Sequence, residues 1–150
     1  MHRVTPADVP PLREFLAEAD LTLSGLDDPA VRLWVERDAG GGILGSTGYE
    51  LSADGREALI RSVAVGERGR GRGTVLARYA LQQAAAEGAE RAWLFSRRSG
   101  RFWQRLGFAS ADRHELAAAL PDTQQVRLFT ETGQLDREVA WMLPLADYGA

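Results

Sequence analysis

Residues 62–74 read Ser-Val-Ala-Val-Gly-Glu-Arg-Gly-Arg-Gly-Arg-Gly-Thr, an apolar run that leads into glycine at every second position. Glycine lets successive backbone N–H groups converge and lets a ligand approach the chain closely. A helix that opens directly behind such a loop offers unpaired N–H groups and the positive end of its dipole. Strand, glycine-rich loop and helix, in that order, suit a pyrophosphate. The sequence contains no lysine, which excludes the phosphate-binding lysine of a Walker-type loop, a Schiff-base lysine and a lysine general base. The device therefore fits a cofactor that is held, not a nucleotide that is cleaved. A flexible arginine- and glycine-rich loop for nucleic acid is the competing reading, and the flanking strand and helix weigh against it.

The elements that must position this loop follow from periodicity and punctuation. Thr5-Pro6 predicts a helix start, and Leu12, Phe15, Leu16 and Ala19 continue it at helical spacing over 6–19. Val31, Leu33 and Val35 alternate with polar or larger residues as a strand does. Gly40-Gly41-Gly42 predicts a turn, Ile43–Leu51 the next strand, and Asp54-Gly55 a two-residue hairpin loop into Ala58–Val65. A helix through Val75 ending near Gly88, a buried strand 92–95, short helices over 99–106 and 122–130, and a final strand 139–143 complete the pattern. Strands alternating with helices, with no linker or repeat, predict one mixed α/β domain over residues 1–150.

Composition narrows the function. With 150 residues, 45% hydrophobic and 26% charged, the chain has the balance of an ordinary globular protein with a single core. A net charge of −3 gives no general attraction to nucleic acid. Absence of cysteine removes thiol nucleophiles and thiolate metal sites, and His2 and His114 alone predict no metal centre. No apolar run reaches membrane-spanning length, and the N-terminus lacks a secretory h-region, so a cytoplasmic protein is expected. Gly40-Gly41-Gly42-Ile43-Leu44-Gly45 matches a dinucleotide pattern formally, but it precedes a strand instead of joining strand to helix.

The chain resembles the GNAT superfamily of N-acetyltransferases. Arg68-Gly69-Arg70-Gly71-Arg72-Gly73 matches that family's Arg/Gln-x-x-Gly-x-Gly/Ala loop behind a Val63-Ala64-Val65 strand, and Arg101-Phe102-Trp103-Gln104-Arg105-Leu106-Gly107-Phe108 matches its later aromatic-pair and Leu-Gly-Phe motif. The two motifs cover residues 43–109, roughly half the chain. Arg98 to Gln104 before Gly107-Phe108 looks like N-acetylglutamate synthases, and Ala58–Val65 after Gly48-Tyr49-Glu50 is similar to GNATs of arsenic-resistance loci. The resemblance implies a central, mostly antiparallel sheet flanked by helices, with acetyl-CoA as cosubstrate and direct transfer to an amine in a ternary complex. It places Val63, Ala64 and Val65 on the pantetheine arm and thioester, and Arg68, Gly69, Arg70, Gly71, Arg72, Gly73 and Thr74 on the pyrophosphate. Ser96 and Trp103 stand as further cofactor contacts. Three positions depart from the pattern. Leu59 replaces a strand glutamate base, Trp103 a tyrosine acid, and Ser96 an asparagine.

Glu50 and Arg61 are the candidate catalytic pair. With Asp54-Gly55 as the loop, Glu50 lies opposite Leu59, and Arg61 lies two residues further on the same face. Glu50 would be the general base and Arg61 the grip on a substrate carboxylate, with Glu57 the reserve base. The expected acceptor is a small-molecule amine, amino-acid-like. A peptide or protein acceptor and a non-catalytic acyl-CoA-binding module are the alternatives. A homodimer is left open, and neither nucleic acid nor membrane is expected as a partner.

Overall fold

A computed structural model describes residues 1–66, 71–146 and 148. Its elements are β1 (His2–Arg3), a 3-10 turn (Pro6–Asp8), α1 (Val9–Glu18), β2 (Val31–Arg37), β3 (Ile43–Leu51), β4 (Glu57–Val65) and α2 (Arg72–Ala86). Then come β5 (Arg91–Phe95), α3 (Gly100–Arg105), β6 (Ala109–Ala111), α4 (Arg113–Ala119), α5 (Gln124–Thr132), a second 3-10 turn (Gln134–Arg137) and β7 (Ala140–Pro144). The strand order is β1-β2-β3-β4-β5-β7-β6, with β4 and β5 parallel in a mostly antiparallel mixed α/β arrangement. Backbone packing divides the chain into two compact units, residues 1–50 with 60–80 and residues 51–59 with 81–150.

In the first unit, α1 presents Leu12 and Leu16 at i and i+4, both fully buried, to Val31, Leu33 and Val35 on one face of β2. Asp8 fixes the entry to α1. Its carboxylate accepts the Thr5 N–H at 2.7 Å, the Thr5 hydroxyl at 2.9 Å and an Arg37 N–H at 2.6 Å. The backbone bond from Thr5 is the main reason its pKa is held at about 2. On the other face of the β2–β3 pair, Trp34 packs on Tyr49 and Tyr79 with ring centroids 5.7 and 5.4 Å apart. The three-glycine turn behaves as expected, its backbone N–H groups at Gly40 and Gly42 donating to Asp38 Oδ1.

In the second unit, β4 pairs with β5 from Glu57↔Arg91 to Leu59↔Trp93, and β7 pairs antiparallel with β5 and β6. Helices α4 and α5 bury Leu116, Leu120 and Val126 with Leu59, Trp93 and Ala140, and Phe95 meets Phe129 edge to face. Strand β6, helix α4 and the turn at Gln134–Arg137 have no counterpart in the expectations above. Asp112 caps α4 by accepting the N–H groups of His114 and Glu115.

One expectation requires correction. Asp54-Gly55 does not form a two-residue hairpin loop. Such a type I′ turn needs positive φ at both residues, and only Gly55 has it. Instead Gly55 N–H closes on Ser52 O, while Asp54 accepts the Ser52 hydroxyl and the Arg56 N–H. The register survives because Ser52 N–H still donates to Glu57 O at 2.9 Å.

Candidate functional site

Between two bonds that join it to β3, strand β4 runs one residue longer than its partner. Near the turn Ser52 bonds Glu57, a register that sets Glu50 opposite Leu59. At the far end Gly66 N–H bonds Leu44 O at 2.8 Å, one residue out of that register. The extra residue is marked by Ser62, whose φ of 61° is left-handed and uncommon for a side chain that is not glycine. A bulge of this kind re-aims the backbone that follows it, here Val63, Ala64 and Val65. Val63 and Val65 are half-buried and Ala64 is buried.

Behind β4 the chain enters α2. Arg68, Gly69 and Arg70 lie outside the described residues. Gly71 has φ of 70°, with open space where a Cβ would stand. Its carbonyl accepts the Val75 N–H, so the helix opens at the glycine. The first N–H groups of any helix lack intrahelical acceptors, which leaves those of Arg72, Gly73 and Thr74 to other partners. The Arg72 guanidinium pairs with Glu36 at the end of β2.

The structure brings Glu50 and Arg61 together. Arg61 Nη1 lies 3.0 Å from Glu50 Oε2, and the two side chains are 0% and 6% exposed. Arg61 Nε also donates to Ser62 Oγ at 3.2 Å and Nη2 to Thr22 O at 3.3 Å. Burial pushes the Arg61 guanidinium below its ordinary pKa, and Glu50 beside it opposes that shift. This is no ion pair on a solvated sheet face.

In the second unit, Leu59 is fully buried among Trp93, Leu116 and Leu120. The reserve base, Glu57, is saturated with donors. Both its oxygens accept from Arg91, and Oε2 also accepts Trp93 Nε1–H at 3.1 Å. Such a carboxylate has its lone pairs committed to protein donors and offers little room for a substrate proton. Ser96 Oγ accepts the Ser99 N–H, and its carbonyl accepts Trp141 Nε1–H at 2.9 Å. Trp103 is 7% exposed and packs edge to face with Phe102 and Phe108. The Leu-Gly-Phe motif has a packing reason of its own: Gly107 takes φ of 104° so that Phe108 can turn back onto Trp103. Arg97 pairs with Glu138, and His114 is exposed. Among the described residues no group of three or more His, Cys, Asp or Glu could hold a metal, and no helix is long and apolar enough to cross a membrane.

A bulged strand followed in the chain by a helix that opens at a left-handed glycine suits a coenzyme A-binding class, and comparison with known families agrees. The model of the acetyltransferase (GNAT) family matches residues 3–108, so this chain belongs to that family. Solved structures repeat the fold. N-acetylglutamate synthase of Neisseria gonorrhoeae, complexed with coenzyme A and N-acetyl-glutamate, superposes with a TM-score of 0.72 at 15% identity over 96% of this chain. This chain spans 34% of that enzyme's length. A GNAT acetyltransferase of Staphylococcus aureus Mu50 gives 0.73 at 13% identity, covering 96% of this chain and 97% of that one. Rv2747 of Mycobacterium tuberculosis, crystallised with coenzyme A, gives 0.71 at 18% identity over 95% and 97%. At these identities the likeness is one of fold. No curated protein matches the sequence.

Proposed function

We propose that this protein transfers an acetyl group from acetyl-CoA to the amine of a small, amino-acid-like molecule, directly and in a ternary complex. The observation that carries the reading is the left-handed bulge at Ser62 followed by the left-handed glycine at the start of α2. Together they free backbone groups where a pantetheine arm and a pyrophosphate need them. Val63, Ala64 and Val65 would meet the arm and polarise the thioester carbonyl. Arg68, Gly69, Arg70, Gly71, Arg72, Gly73 and Thr74 would hold the pyrophosphate, with Ser96 and Trp103 as further cofactor contacts. Coenzyme A in structures of the same fold supports this, as does N-acetyl-glutamate in one of them.

Only a neutral amine attacks a thioester, so a base must take the ammonium proton. Glu50 is our candidate, acting directly or through water. Arg61 would orient it, and would grip an acceptor carboxylate by exchanging its bond to the neutral Thr22 carbonyl for a charge-assisted one. Acid catalysis at the leaving thiolate is not required, because thiols ionise near pH 8.5.

Buried leucine and tryptophan at the family's base and acid positions favour a second reading, a module that binds acyl-CoA without transferring it. Calorimetric titration with coenzyme A tests what both readings share. Gly71→Glu should abolish binding while the fold persists, because the position needs φ of 70° and faces open space. Unchanged affinity in that variant would sink the pyrophosphate assignment. Acetyl transfer to an amine then separates enzyme from module.

A further inference from the structure

Strand β3 carries Gly45-Ser46-Thr47-Gly48, a segment to which the reading above gives no role. Ser46 and Thr47 are both fully buried, and as neighbours on a strand they point to opposite faces. Ser46 Oγ donates to the carbonyl of Ser62 at 2.7 Å, the left-handed residue that makes the β4 bulge. Thr47 Oγ1 donates to the carbonyl of Leu76 at 2.8 Å, one turn into α2. The flanking glycines permit this closeness. A Cβ on Gly45 would stand 2.6 Å from Leu76 Cδ1 and 3.2 Å from Ala64 O, and one on Gly48 would collide with Arg32 O.

We propose that Ser46 and Thr47 are positioning residues, two buried hydroxyls on one strand that fix the β4 bulge and helix α2 in place for the cofactor. The inference rests on the proposed acetyl-CoA reading. The bulge is strained, and a strained conformation persists only where its surroundings over-determine it. Ser46 supplies that constraint by tying down the carbonyl directly before Val63. Removing its hydroxyl leaves a buried carbonyl short of a donor and lets the peptide plane turn, which swings the backbone meant for the thioester. Thr47 acts on the other partner. Its hydroxyl supplements the intrahelical bond at Leu76 and pins α2 near the end that would meet the pyrophosphate.

The two hydroxyls therefore govern different kinetic constants. Ser46→Ala should lower kcat by at least about tenfold while the Kd of coenzyme A changes little, since small misplacements of reacting groups cost rate steeply. Thr47→Val, which keeps the shape, should raise that Kd by about tenfold with kcat at saturation retained, and Thr47→Ser should restore it. Amide hydrogen exchange at residues 63–65 should quicken in Ser46→Ala with or without cofactor. Both variants losing thermal stability yet keeping wild-type kcat and Kd would overturn the proposal and leave a structural role alone. Failure of the wild type to bind coenzyme A would sink the functional reading instead, and exchange at 63–65 would still show whether Ser46 holds the bulge. Unchanged exchange there overturns the positioning of β4 independently of any activity.

Discussion

Each of the two units holds a glutamate–arginine pair that involves β4, and the pairs differ in how far the arginine is buried. Arg61 and Glu50 are 0% and 6% exposed, whereas Arg91 is 52% exposed over a Glu57 that is itself only 9% exposed. Burial drives the Arg61 pKa down, while the hydrogen bond to Glu57 drives that of Arg91 up. A buried pair costs desolvation that attraction must recover, so it is a weak device for stability. A pair with one partner in water, such as Arg91 over the buried Glu57, leaves only the carboxylate to be desolvated. The contrast teaches where to look for function: beside its bulged strand the molecule buries both partners, whereas the pair that ties β4 to β5 keeps its guanidinium half in water.

The largest effect should separate the pairs themselves. Arg61→Ala strands Glu50 in the interior and should cost about 3–5 kcal/mol, with acceptor KM raised in whatever folds. Arg91→Ala leaves the buried Glu57 with its Trp93 donor and should cost less, about 1–2 kcal/mol by denaturant unfolding. Equal losses would erase the distinction. Next comes Glu50→Gln, which removes the base without removing the shape. It should lower kcat by about a hundredfold with coenzyme A affinity unchanged. Some stability is lost with it, because Arg61 keeps its buried charge without a counter-ion. Near-normal kcat would return the pair to structure alone.

A smaller effect comes from a second carboxylate of the first unit. Asp8 has its folded pKa lowered from 3.8 to about 2. A depressed carboxylate contributes stability that is fully present above the unfolded value and is lost as pH falls through the folded one. Asp8→Asn should therefore remove on the order of 1 kcal/mol at neutral pH, solvent screening included, and flatten the loss of stability between pH 3.8 and about 2. The smallest effect belongs to the second unit. Trp103→Phe should keep kcat within about twofold, because an indole buried against Phe102 and Phe108 offers packing and no useful proton. A steep fall in kcat with normal cofactor binding would give Trp103 the chemical role denied here.

Much of the site could be read from the sequence because glycine and β-branched residues report backbone demands locally. Gly71 marks a left-handed position, and Val63-Ala64-Val65 marks a strand. The Glu50–Arg61 contact followed from counting, although the turn that justified the count has different geometry. The bulge was not legible, since nothing about a serine announces φ of 61°, and the Ser46 hydroxyl that bonds its carbonyl comes from another strand. Helix α4 was missed because Ala-rich Arg113–Ala119 spans few turns, yet Asp112 as cap, Glu115 and the Leu116/Leu120 spacing carried its signal. Strand β6 exists only because β7 pairs with it, and three residues hold too little pattern to predict.

The central claim is acetyl transfer to an amino-acid-like amine. Thiol release from acetyl-CoA should be measured with a panel of free amino acids, their phosphinic and arsinic analogues, polyamines and peptides. The account predicts release that requires an amine bearing an adjacent acid group, with polyamines and peptides poor. Release driven by peptides alone would contradict the acceptor class, and coenzyme A binding with no release from any amine would contradict the enzyme.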